Sequence, residues 1–118
     1  MIRPISKHNH SEHYIWGNNC DGWRLVDEEA RSIIHERMPP GTSEVRHLHT
    51  RAAQFFFVLS GMMTIEVNGT EHQLNPHEGI EVPPEVPHQV WNTSNTDIEF
   101  LVISAPSTRN DRKTADVG

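Results

Sequence analysis

From residue 44 to residue 103 apolar side chains recur at every second position, the period of an extended strand whose side chains alternate between two faces. Residues 32–38, 45–49, 54–59, 80–82, 88–92 and 98–104 read as strands. Pro39-Pro40-Gly41, Ser60-Gly61, Asn75-Pro76 and Pro83-Pro84 punctuate them. Residues 62–74 predict the clearest hairpin: Ile65 and Val67 alternate with Thr64 and Glu66, and Asn68-Gly69 supplies a two-residue turn that tolerates positive φ. No stretch carries an amphipathic helix, and only residues 26–31 suggest a helical turn. Many short strands predict an all-β barrel or sandwich, and 118 residues suffice for one hydrophobic core but not two. Residues 1–24, polar but with Tyr14, Trp16 and Trp23, predict an N-terminal arm packed on a barrel of residues 25–104. Residues 105–118 have almost nothing to bury and predict a loose polar tail.

The alternation also sorts the polar residues. His47 and His49 are two apart, so a strand presents both imidazoles on one face, and Gln54 opens the next strand. His88, just past a Pro-Pro turn, supplies a third imidazole from another strand. Three such nitrogens make a cradle with open positions, the arrangement of catalytic rather than structural metal sites. Parity places Phe56 and Val58 on the Gln54 face and Phe55 and Phe57 on the opposite one, so Phe56 is expected to line a pocket above the ion. His35, beside Glu36, is a second candidate for the barrel mouth, with solvent exposure the simpler expectation. His8, His10 and His13 could wrap an ion only if the arm folded around it; solvation is the simpler reading there and for Arg46 and Arg51. Cys20 has nothing near it in sequence that would activate a thiolate.

Two longer patterns carry a resemblance. Gly41, five residues, His47-Leu48-His49, four residues, Gln54, six residues, Gly61 resembles the first motif of the cupin superfamily, in which Glu usually stands at the Gln54 position. His77, five residues, Pro83-Pro84-Glu85, two residues, His88, three residues, Asn92 is similar to the second, in which Gly usually stands at the His77 and Glu85 positions. The resemblance implies a double-stranded β-helix, the jelly-roll barrel of the small bacterial cupins. It implies one divalent metal ion (zinc, nickel, iron, manganese, cobalt or copper) on His47, His49, Gln54 and His88. Gln54 keeps a carbonyl oxygen for the ion but removes a negative charge, so the site would retain the ion's full charge and attract an anion. The missing glycines put two non-glycine residues where turns favour positive φ.

Charge and composition narrow the partners. A formal net charge of −6 argues against a nucleic-acid partner, and no apolar run approaches a membrane span. The single Cys20 and the opening Met1-Ile2-Arg3-Pro4, without an apolar signal core, lead to an expectation of the cytoplasm. Small cupins commonly pair, and Trp16, Trp23 and Trp91 exceed what one barrel needs to cover, so a homodimer is expected. Two functional readings stand. One is a metalloenzyme of oxygenase, isomerase or lyase type acting on a small organic, anionic molecule; the other is a non-catalytic barrel that binds or senses such a ligand. Acid–base chemistry needs a carboxylate near the ion, and Glu36, Glu44 and Glu85 are the candidates.

Overall fold

The computed structural model describes residues 2–116. Eleven strands follow one another: β1 (Glu12–Trp16), β2 (Cys20–Asp27), β3 (Ser32–Met38), β4 (His47–His49), β5 (Ala53–Ser60), β6 (Met63–Val67), β7 (Thr70–Leu74), β8 (Gly79–Val82), β9 (His88–Trp91), β10 (Ile98–Ala105) and β11 (Arg112–Thr114). They form a six-stranded sheet, β1-β2-β3-β10-β5-β8, facing a five-stranded one, β11-β4-β9-β6-β7. Every pairing is antiparallel. The expected jelly roll is therefore the observed fold, with no helix among the described residues.

Period-two alternation builds the core. On β10, Ile98, Phe100, Val102 and Ser104 are buried while Glu99, Leu101 and Ile103 are only half-buried; on β5, Gln54, Phe56 and Val58 form the buried file. Met63, Ile65 and Val90 face them from the other sheet. Removing an aromatic such as Phe100 from this core would cost about 3–5 kcal/mol. Asn68 and Gly69 take φ of 51° and 92°, the turn their sequence predicts. Gly61, at φ 78°, is required twice over: a Cβ there would also meet the Asp97 carbonyl at 2.5 Å.

Both chain ends differ from the expected arm and loose tail. Residues 12–27 form a strand hairpin, β1 and β2, that extends the six-stranded sheet; Gly17 and Asn19 in its tip take positive φ. The helical turn suggested for residues 26–31 is not formed: β2 runs on to Asp27, and reciprocal backbone hydrogen bonds between Glu28 and Arg31 close a tight turn into β3. Trp23 finds its cover within the chain, stacked on His13 at 5.2 Å, edge-on to His35 at 5.3 Å and under the Lys7 ammonium at 5.4 Å. At the other end β11 pairs with β4, and Asp111 just before it is buried. Its carboxylate accepts the backbone N–H groups of Thr50, Arg51 and Ala52 and the Thr50 hydroxyl. A short polar segment thus acquires a fixed place through hydrogen bonds rather than apolar burial.

The two residues at the family's glycine positions do take positive φ, 70° at His77 and 68° at Glu85. Each is held by a backbone bond across the fold, His77 N–H to Val58 O at 2.7 Å and Glu85 N–H to His49 O at 2.6 Å. Left-handed backbone costs a non-glycine residue about 1–2 kcal/mol. Glu85→Gly is therefore expected to stabilise the protein by roughly 0.5–1 kcal/mol after the entropic cost of glycine, a rise of a few degrees in Tm by thermal denaturation. An unchanged or lower Tm would show that the turn carries no strain.

Candidate metal centre and its pocket

His47 and His88 are register partners on β4 and β9, and His49 lies two residues along β4 on the same face. All three are buried, and one ring nitrogen from each lies within 4.8 Å of the others. Among the described residues this is the only group of three or more such side chains. Each imidazole is oriented by a backbone carbonyl: Nδ1 of His47 donates to Val45 O at 2.7 Å, Nδ1 of His49 to Asp111 O at 3.2 Å and Nδ1 of His88 to Val86 O at 3.0 Å. A carbonyl only accepts, so Nδ1 carries the proton and Nε2 keeps its lone pair. Burial lowers the basicity of all three rings, that of His47 to about 3, which keeps them neutral.

Gln54 faces this group from β5 in the opposite sheet. Its Nε2 donates to the hydroxyl of Ser104, its register partner on β10, at 3.1 Å. Gln54 Oε1 and His88 Nε2 are the two buried side-chain polar atoms without a hydrogen-bond partner among the described residues. Buried polar atoms are rarely left so. Two orphaned acceptors beside two more free imidazole nitrogens fit a divalent cation, which needs lone pairs and no protons.

The cradle opens into a cavity of about 180 Å³ lined by Phe56, Val102, Glu36, Glu44, Tyr14 and Arg112 as well as His47, His49 and Gln54. Phe56 sits where its parity predicts, 5.7 Å from the His88 ring. His35 does not: it lies on the outer face of β3, where its Nε2 meets Glu99 at 2.8 Å. The inward positions of β3 are Ile34 and Glu36. The arm histidines do not form a second centre, and His13 instead pairs with Asp21 at 2.7 Å.

Glu36 and Glu44 are the two carboxyls that line the pocket. Burial pushes the Glu36 carboxyl up to about 8, with the neighbouring Glu44 adding to the shift and Arg112 opposing it; burial likewise pushes Glu44 up to about 7. Tyr14 reaches them across a glycine. Tyr14, Gly22 and Glu36 lie in one register row over β1, β2 and β3, and a Cβ on Gly22 would collide with the Tyr14 ring. Burial, reinforced by Glu36, raises the Tyr14 hydroxyl to about 12, so it remains a donor. Tyr14 and Arg112 lie in the segments predicted as arm and tail, and residues 12–16, with their apolar side chains on consecutive positions, carry no period-two alternation that would mark a strand.

A model of the cupin domain matches residues 34–104. An oxidoreductase from Arthrobotrys oligospora is 31% identical over 74 residues, 59% of this chain and 29% of that protein. The oxalate-binding protein of Thermotoga maritima is 28% identical over 78 residues, 66% of this chain and 64% of that protein. The matches thus span less than two thirds of either relative. Among solved structures, the polyketide cyclase RemF from Streptomyces resistomycificus superposes with a TM-score of 0.84 at 17% identity, covering all of this chain and 88% of its own, a likeness of fold alone. With the domain match extending over more than half of its length and the fold agreeing, the chain belongs to the cupin family.

Proposed function

We propose that this cupin is a divalent-metal enzyme that moves protons on a small organic substrate, chemistry of the isomerase or lyase type. The observation that carries the reading is the cavity that brings His47 and His49 of the three-histidine cradle, and Gln54, together with the carboxyls of Glu36 and Glu44. Bound there by the three imidazoles and Gln54 Oε1, the ion would polarise a substrate oxygen as a Lewis acid. Glu36, with a proton affinity matched to neutral pH, would give and take the proton, and Tyr14 would donate a hydrogen bond to it or to substrate. Phe56 and Val102 keep the inner wall apolar.

A second reading, a barrel that captures a small anion without turning it over, is favoured by the likeness to an oxalate-binding protein. A homodimer also stays a proposal. The tryptophans are half-buried, and the exposed side chains of Ile15 and Val45 would supply its contact surface. No helix is long and apolar enough to cross a membrane.

Purified without added metal, the protein is expected to carry about one divalent ion per chain by elemental analysis, and His49→Ala with His88→Ala should abolish it. In heavy water with a panel of small 2-oxo acids and hydroxyketones, the loaded protein should exchange the hydrogen next to a carbonyl. Glu36→Gln should slow that exchange by about 100-fold at unchanged metal content. Full metal occupancy with no exchange, together with stoichiometric uptake of oxalate, would replace the enzyme reading with the binding one.

The raised Glu36 carboxyl also has a stability signature. Its contribution is fully present below its unfolded value near ~4.3 and is lost as pH rises through about 8. In chelator, the Tm advantage of Glu36→Gln over wild type should therefore grow between about pH 5 and about pH 8.5; a constant difference would place Glu36 in contact with water. Gln54→Glu tests the amide. A negative charge at Oε1 should tighten zinc binding by about tenfold and weaken oxalate bound beside it. Calorimetry showing neither change would remove Gln54 from the ligand set.

A further inference from the structure

Arg112 is the pocket cation that the acid–base reading leaves unused. Six other arginines, Arg24, Arg31, Arg37, Arg46, Arg51 and Arg109, each have a carboxylate within 4.0 Å. Arg112 has none among the described residues, although the chain carries 16 Asp and Glu and two of them line the same pocket. Its side-chain hydrogen bond is a 3.3 Å contact from Nη2 to the Val45 carbonyl, which leaves most of the guanidinium fork free. Register fixes where it stands: Arg112 pairs with His49 across β11 and β4, so it forms the pocket wall next to the imidazole cradle.

Three hollows share Arg112 and Glu44. The innermost is the metal-side cavity. A second, of about 150 Å³, adds Trp16 to Tyr14 and Glu36, and an outer one, of about 410 Å³, is bordered by Trp16, Gly17, Val45 and Thr114. Arg112 therefore stands along the whole route from the surface to the histidines, with an exposed Val45 and a half-buried Trp16 at its outer end.

We propose that the site takes an organic carboxylate and that Arg112 is its recognition residue, gripping the carboxylate with its free donors while another oxygen of the same molecule points to the histidine cradle. The assignment of that inner end rests on the function proposed above; the carboxylate contact does not. A planar guanidinium fork matches a carboxylate with two parallel hydrogen bonds, which a neutral amide cannot reproduce. The outer hollow beside Trp16 and Val45 accepts the apolar remainder of the molecule.

Succinate and its neutral counterpart succinamide are the probes, titrated by NMR into metal-stripped and zinc-loaded full-length protein. Stripped wild type is expected to prefer succinate by at least about tenfold, and Arg112→Gln to erase that preference. Arg112→Lys, which keeps the charge and the strand, should lose it severalfold. Lys113→Ala, exposed like Arg112 but one residue along on the opposite face of β11, should retain it. A succinate preference that survives both Arg112 substitutions, or that falls as far in Lys113→Ala, overturns the proposal. Loss of zinc binding with the Arg112-dependent preference intact would sink the metal-enzyme reading and leave this one standing; normal zinc binding without that preference does the reverse.

Discussion

Three imidazoles and a primary amide lie inside a sandwich of little more than a hundred residues, and the cost of burying such groups unpaired, about 1–3 kcal/mol each in proteins, constrains everything around them. The fold meets that constraint one nitrogen at a time. Each Nδ1–H is donated to a main-chain carbonyl, and the Gln54 amide nitrogen is donated to Ser104. These bonds set the tautomers and leave lone pairs directed inward, so the same contacts that permit burial also prepare a cation site. The two atoms left over, His88 Nε2 and Gln54 Oε1, are buried without a hydrogen-bond partner among the described residues.

Asp111 connects this centre to the C-terminal segment. Its carboxylate gathers the N–H groups of Thr50, Arg51 and Ala52, while its own carbonyl accepts Nδ1–H of His49. Burial alone would raise the Asp111 carboxyl, but these hydrogen bonds outweigh it and hold it well below the usual carboxylate range. One residue therefore ties the β4–β5 turn, a metal-facing histidine and the start of β11 together. With β11 in place, Arg112 becomes part of the pocket wall.

The pocket separates its charges by layer. Innermost are neutral ligand groups, three histidines and one amide; next are two carboxyls whose burial favours the protonated form; beside them is a guanidinium without an acidic partner among the described residues. The glutamate usual at the Gln54 position of the first motif is replaced by a neutral amide, and carboxyls line the same pocket from β3 and from the loop before β4. Under the proposed function, acid–base capacity would stand beside the metal ligands rather than among them, a division of roles suited to proton transfer on a polarised oxygen.

The sequence by itself determined the all-β class, the jelly-roll architecture and the histidine cradle, because these depend on local alternation and on two spaced motifs. His47 and His49 share a face by parity alone, and Phe56 follows Gln54 inward by the same rule. The hairpin at Asn68-Gly69 and the strained backbone at His77 and Glu85 were legible from turn chemistry. What only the tertiary structure decided lies at the chain ends and between strands distant in sequence. Residues 112–114 carry no apolar side chain and residues 12–16 carry theirs on consecutive positions, so neither declares itself as a strand; they become strands because β2 and β4 offer them free edges. His35 lies outward rather than at the mouth because β3 turns Ile34 and Glu36 inward. Tyr14 enters the site only because Gly22, on the neighbouring strand, has no side chain to block it. Glu36, Glu44 and Arg112 meet across three separate segments, and no pattern within any one segment records that meeting, since their proximity is set by sheet register and closure of the barrel rather than by local preference.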